Sequence, residues 1–172
     1  DRVARVDRTN GQVMAWNPSA SERVFLLAAG TAGDVFVGGR FASVGGVERR
    51  FAGALDAGTG VATPWAPEAN GAVYALSVAG SAVYGGGIFT QIGGESRGYL
   101  AGLDLASGQA TSFIADADDS VFALAAGDDT LYVGGAFNVV GGQSRESLAA
   151  VELATGLVKP WNPGTDNRVR AL

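Results

Sequence analysis

A repeat of about 48 residues runs through the whole chain, and it limits the possible folds more than any other feature. Similar apolar segments begin at Val24, Val73, Val121 and Val169, at intervals of 49, 48 and 48 residues. A unit this short cannot bury its own apolar surface, so it has to pack against its neighbours. The sequence therefore predicts full units at residues 24–72, 73–120 and 121–168.

Each unit reads as a series of short strands separated by turns. In the second unit, residues 73–78 and 82–86 form a hairpin, and residues 99–104 and 109–113 follow a glycine-rich loop. No window shows a sustained period of 3.6 residues, so no helix is predicted. An antiparallel meander of four strands and this length is typical of a β-propeller blade. We predict an all-β fold built from such blades.

The units do not add up to a closed ring. Residues 1–23 match the second half of a unit, and residues 169–172 match the beginning of another. We treat residues 1–172 as a single propeller segment of about 3.5 blades, whereas closed propellers usually have four to eight. We therefore expect that further blades of the same chain, or a second copy, complete the structure.

Particular residue types recur at fixed places in the units. They are a glycine pair after the second strand, an arginine after the glycine-rich loop, and an aromatic residue near the end. These positions are Gly38, Gly39, Gly86, Gly87, Gly134, Gly135, Arg49, Arg97, Arg145, Trp16, Trp65, Phe113 and Trp161. We expect the glycines to permit close packing, the aromatic rings to fill the space between sheets, and the arginines to donate to loop carbonyls. For the arginines, the alternative is that they form an arc that binds anions or polysaccharides.

Composition excludes several classes of function. The chain has no Cys and no His, so it has no disulfide framework, no Cys/His zinc site, no thiol nucleophile and no histidine base. The formal net charge of −5 argues against a nucleic-acid partner. The apolar run at 24–29 is far shorter than the roughly 20 residues of a membrane span. We expect no catalytic residues and no cofactor.

Carboxylates supply the remaining candidate chemistry. Asp116, Asp118 and Asp119 lie together before the strand that begins at Val121, and such an oxygen-rich loop is a weak candidate for Ca²⁺. A solvated turn is the alternative for this cluster. The carboxylates at Asp7, Asp56 and Asp104 precede turns that end in glycine, and we expect them to accept backbone N–H groups in Asx-turns.

The run Gly-Gly-x-Phe-x-x-(Val/Ile)-Gly-Gly-x-x-Arg resembles the repeat of the bacterial delta-60 propellers. It occupies residues 38–49, 86–97 and 134–145. The glycine pair, the downstream acid and the downstream Trp also resemble kelch repeats. The resemblance implies a blade-forming repeat of large secreted or cell-surface bacterial proteins, and therefore an extracellular or cell-envelope location. It supplies no catalytic residues to carry over.

These features predict a non-catalytic scaffold or recognition module that binds protein or glycan. Variation between units is concentrated in the loops that lead into the first strands, at 19–23, 68–72, 116–120 and 164–168. Loops on a rigid scaffold are where recognition is usually built. The alternative is the propeller domain of a larger enzyme, similar to quinone-dependent dehydrogenases or galactose oxidase, with its catalytic residues outside this segment.

Overall fold

The computed structural model describes residues 2–31 and 33–172, and all of its regular elements are β-strands. Three sheets of three antiparallel strands follow one another along the chain, one in each predicted unit. Their strands are β1 (Val24–Ala29), β2 (Asp34–Gly39) and β5 (Ala52–Asp56); β6 (Val73–Ala79), β7 (Ala82–Gly87) and β10 (Leu100–Asp104); and β11 (Val121–Ala126), β12 (Thr130–Gly135) and β15 (Leu148–Glu152). The all-β prediction is confirmed.

A short hairpin occupies the glycine-rich loop of each unit. These hairpins are β3 (Ser43–Val44) with β4 (Val47–Glu48), β8 (Gln91–Ile92) with β9 (Glu95–Ser96), and β13 (Val139–Val140) with β14 (Gln143–Ser144). Each hairpin turns through a pair of glycines with positive φ, such as Gly93 (63°) and Gly94 (83°). The diglycine is needed here because other residues rarely adopt this conformation twice in succession.

The prediction of a full fourth strand is wrong. Residues 109–113 join the sheet only through the bridge between Leu103 and Ala110 and the adjacent hydrogen bonds. After Thr111, whose hydroxyl donates to the Gly102 carbonyl, the chain leaves the sheet edge. It does so because Phe113 is buried against the next unit, and a continuing straight strand would not deliver the ring there.

Each first strand contains a β-bulge at the same place. The pairing of the first strand with the second changes register at Phe25 in β1, at Tyr74 in β6 and at Phe122 in β11. Because a bulge re-aims a side chain, these rings form a row across the units, with ring centroids 5.2 and 5.7 Å apart. The guanidinium of Arg170 extends the row and lies 5.7 Å from the Phe122 centroid. The first strands of successive units therefore lie side by side.

Antiparallel connections give the array two rims. The upper rim carries the loops that lead into first strands and the glycine-rich hairpins, and the lower rim carries the turns at 80–81 and 105–108. We call the contact between the sheets β1–β2–β5 and β6–β7–β10, together with the loop 66–72 between them, the first junction. The contact between the sheets β6–β7–β10 and β11–β12–β15, together with the loop 114–120 between them, is the second junction. The part of the chain that the structure describes contains no helix long and apolar enough to cross a membrane.

Candidate functional site

The recurring glycines lie where neighbouring chain segments approach closely. A Cβ on Gly86 would collide with Val121, the first valine of the next unit, and a Cβ on Gly38 would press against both Leu26 of its own unit and Val73 of the next. A Cβ on the second glycine of the pair, as at Gly87, would collide with the backbone carbonyl before the unit's own first strand. A larger residue would push the sheets apart at these points, so the pair sets the spacing between units.

The recurring aromatic residues lie between units. Trp16, Trp65 and Phe113 are buried, whereas Trp161 in the last unit is 44% exposed. The indole N–H of Trp65 donates to the Asp104 carbonyl of the following unit at 3.1 Å, and Trp16 makes the same bond to Asp56. These rings therefore carry polar as well as apolar contacts between units.

The recurring arginines act inside their own units. In each unit, Nη1 of the arginine donates to the carbonyl of the preceding residue. Nη2 donates to the backbone carbonyl of the residue 14 positions later in the chain. For Arg97, these acceptors are Ser96 at 2.8 Å and Thr111 at 2.9 Å. The guanidinium thus joins the glycine-rich hairpin to the end of the sheet, and its fork is directed into the protein rather than toward a ligand.

The turn aspartates accept the hydrogen bonds expected of Asx-turns. Asp56 Oδ1 accepts from the backbone of Gly58 and Thr59, and from the Thr59 hydroxyl at 2.7 Å. Hydrogen bonds from the Thr59 side chain and backbone lower the pKa of Asp56. The pKa of Asp104 is lowered in the same way, with the Ser107 hydroxyl as the largest cause.

The three aspartates of the calcium candidate are directed at different backbone groups. Asp116 accepts from Gly98 N–H at 2.9 Å, and Asp118 accepts from Asn138 and Val139 N–H. Asp119 accepts from the amide and hydroxyl of Ser120. Among the residues that the structure describes, no group of three or more Asp or Glu side chains is placed to hold a metal ion. The geometry of the described residues therefore gives the calcium candidate no support.

A cleft of about 710 Å³ opens on the upper rim of the first junction. Its floor is formed by Phe41, which is buried, and its wall by the half-buried ring of Phe51. The charged side chains around its mouth come from four separate segments and are Glu22, Arg40, Glu48, Arg50 and Glu68. We call this space the first-junction cleft.

The equivalent place at the second junction is crossed by hydrogen bonds. Asp116 accepts from Gly98 N–H, and Ala117 N–H donates to the Gly98 carbonyl at 2.9 Å. At the first junction, Arg50 stands in the place of Gly98 and Glu68 in the place of Asp116. A Cβ at Gly98 would lie only 3.2 Å from the Ala117 carbonyl oxygen, so the side chain of Arg50 keeps the loop at the first junction from approaching as closely.

Backbone conformation also separates the two junctions. Glu68 follows Pro67 and has a φ of 48°, a left-handed conformation that is uncommon outside glycine. Its counterpart Asp116 follows Ala115 and does not have a positive φ. The next residue, Ala117, forms a β-bridge with Val140. Ser19, which follows Pro18, has the same conformation with a φ of 45°, so this backbone shape accompanies the proline of the loop, and the cleft is the candidate site because it stays open.

The charges of the cleft are only partly paired. Arg50 and Glu48 form an exposed ion pair at 2.9 Å on one side. Arg40, Glu22 and Glu68 are exposed at the mouth. The cleft therefore offers hydrogen-bond donors and acceptors beside an aromatic ring, a combination found in ligand-binding pockets.

Sequence reasoning located part of this site and missed the rest. The loops at 19–23 and 68–72 differ between units and were predicted to carry recognition, and both supply residues to the lining of the cleft. Arg40 and Arg50, on the flanks of the hairpin, were missed. Their signal was the change of residue type between units, from Arg40 to Ile88 and Ala136, inside an otherwise constant motif.

No family model and no curated protein matches the chain. Among solved structures, the chain is similar to the computationally designed Ika8 protein, at 19% sequence identity and a TM-score of 0.54. The match covers 94% of this chain and 55% of that one, so the chain spans about half the length of the designed protein. At this identity the likeness concerns the fold alone.

Proposed function

We propose that the chain is a non-catalytic β-propeller segment that serves as a scaffold and recognition module. Support for the blade arrangement comes from the side-by-side first strands, the row of bulged aromatic residues, and the hydrogen bonds from Trp16 and Trp65 to the following unit. Further blades of the same chain, or a second copy, would complete the ring. The delta-60-like motif supports a place for it in a secreted or cell-surface protein.

The first-junction cleft is the observation that carries the recognition function. It differs from the second junction, and a binding site needs such asymmetry among otherwise equivalent units. Its lining combines two acceptors, Glu22 and Glu68, with two donors, Arg40 and Arg50. Sugar hydroxyls both donate and accept hydrogen bonds, and an aromatic wall such as Phe51 packs against the apolar face of a sugar ring. A glycan therefore fits the cleft better than a strongly charged ligand.

An array of neutral and acidic oligosaccharides, probed with the full chain, tests this function. We expect binding to neutral sugars that is saturable and weakly dependent on salt. Arg40→Ala should weaken it about tenfold, the effect of losing one charge-assisted hydrogen bond. Ile88→Ala, at the same position of the next unit, is the matched control and should leave binding unchanged.

Glu68→Gly provides a second test that does not depend on the stability of the loop. Glycine accepts the left-handed backbone of this position without strain, so the fold is retained while the carboxylate is lost. We expect weaker sugar binding and an unchanged or higher urea midpoint. Binding to peptides and to no sugar would overturn the glycan proposal, and binding to neither would leave only the scaffold.

A further inference from the structure

A second groove, of about 540 Å³, lies on the lower rim of the first junction. The apolar part of its lining comes from both units, with Trp65 and Pro64 from one and Leu105 from the other. Phe36 lies beneath, and its ring meets that of Trp65 edge to face at 4.9 Å. The groove is on the opposite rim from the first-junction cleft and shares none of its residues.

The second junction shows what the first one lacks here. There, Tyr84 takes the place of Phe36, and its hydroxyl donates to the Leu153 carbonyl of the next unit at 2.8 Å. Leu105 is the counterpart of Leu153, 48 residues earlier. Phe36 has no hydroxyl to donate, so the Leu105 carbonyl keeps its acceptor capacity for a molecule in the groove.

The groove is also negative. Asp34 and Asp104 contribute carboxylates, and none of the described residues that line it is basic. At the second junction, the lower-rim carboxylate of Asp129 is already paired with Lys159 at 2.9 Å. The first-junction groove therefore combines aromatic and aliphatic walls with acceptors and uncompensated negative charge, which is the chemistry that selects an organic cation.

We propose that the lower-rim groove binds an organic cation, in which an ammonium or guanidinium group is joined to an aromatic or aliphatic body. The cation interacts with Asp34 and Asp104 and donates to the Leu105 carbonyl, and the body packs against Trp65 and Pro64. Asp104 Oδ1 already holds its own turn through Ser107, so Asp34 is the carboxylate with the larger share in binding.

Three probes of one shape test the proposal on the full chain: benzylamine, benzyl alcohol and benzoate. Titration followed by amide chemical shifts should show saturable binding of benzylamine, with shifts confined to the lower rim of the first junction. Benzyl alcohol should bind less tightly and benzoate not at all. Added salt should weaken the binding of benzylamine, because the carboxylates are partly exposed. Equal binding of benzoate and benzylamine would overturn the proposal.

Two variants at the first junction test the carboxylate and the carbonyl acceptor of the groove separately. Asp34→Asn should weaken benzylamine binding about tenfold, the loss expected for one charge-assisted hydrogen bond. Phe36→Tyr should weaken it by a similar factor, because the new hydroxyl reaches the Leu105 carbonyl as Tyr84 reaches Leu153. Unchanged affinity in both variants would contradict the proposal, provided that their urea midpoints show that they are folded.

Two further variants are the controls. Tyr84→Phe frees the Leu153 carbonyl while Asp129 stays paired, so it should create little benzylamine binding at the second junction. Arg40→Ala, on the upper rim, should leave benzylamine binding unchanged. Loss of binding in Arg40→Ala would place the cation in the first-junction cleft and overturn the assignment to this groove.

Discussion

At the scale of single residues, the turn aspartates show how one carboxylate holds a backbone turn. Asp104 Oδ1 accepts from the amides of Ala106 and Ser107 and from the Ser107 hydroxyl. Glu152 occupies this position in the last unit, and its carboxylate accepts a hydrogen bond from the Thr155 hydroxyl. The short side chain of Asp reaches back to its own turn, which the longer Glu does less readily.

Asp104→Asn should make the free energy of unfolding depend less on pH under acidic conditions. The Ser107 hydroxyl and amide lower the pKa of Asp104 in the folded chain below 3.8, its ordinary value. The stabilisation is therefore complete above that value and is lost as the pH falls through the lower, folded-state pKa. Urea midpoints measured from about pH 2 to 7 should fall less steeply in acid for the variant than for the parent chain. Ser107→Ala, which removes the largest cause of the lowered pKa of Asp104, should flatten the acid dependence in the same direction.

At the scale of elements, the lower rim of each junction contains an aromatic pair in which one ring donates a hydrogen bond to the following unit. At the first junction, Trp65 donates to Asp104 and its partner Phe36 has no donor. At the second junction, Phe113 has no donor and its partner Tyr84 donates to Leu153. The donor has moved from one ring of the pair to the other, so the change of Trp to Phe in that unit is compensated.

Tyr84→Phe should therefore cost about 0.5–1.5 kcal/mol, the usual net value of a hydrogen bond. Adding Phe113→Trp should recover part of this loss, since the indole at that position donates to the next unit's turn in Trp16 and Trp65. A double-mutant cycle in urea measures the coupling. If the two changes have independent effects, the compensation does not exist.

At the scale of the whole molecule, stability depends on contacts between units rather than on any one sheet. The three buried clusters each contain residues from more than one unit or half-unit. The last aromatic pair, Tyr132 and Trp161, is 38% and 44% exposed, while Trp65 is only 3% exposed. The same residue type therefore has a different energetic weight according to its place in the array.

Trp65→Ala should cost about 3–5 kcal/mol, the range for truncating a buried Trp. Trp161→Ala should cost clearly less in the isolated chain, because much of its ring already contacts water. Urea unfolding of both variants at the same protein concentration checks the difference. Equal losses would mean that Trp161 is covered in solution, by another unit or a second copy.

Local signals in the sequence were sufficient for the repeating parts of the fold. The strands at 73–78 and 82–86 were predicted from apolar runs around a turn, and β6 and β7 match them within one residue. The hairpins such as β8–β9 were missed because two-residue strands leave no measurable pattern. The fourth strand was overestimated because its residues favour extended backbone, while burial of Phe113 takes the chain off the sheet edge.

The sequence by itself determined the period, the all-β class and the residues that have to recur, because each is a local requirement repeated in every unit. Only the tertiary structure decided which junction is open. The first-junction cleft joins residues 22, 40, 50 and 68, and whether it closes depends on how Arg50 and the left-handed Glu68 meet across the junction. Contacts between segments distant in sequence are set by packing geometry, which no local pattern encodes.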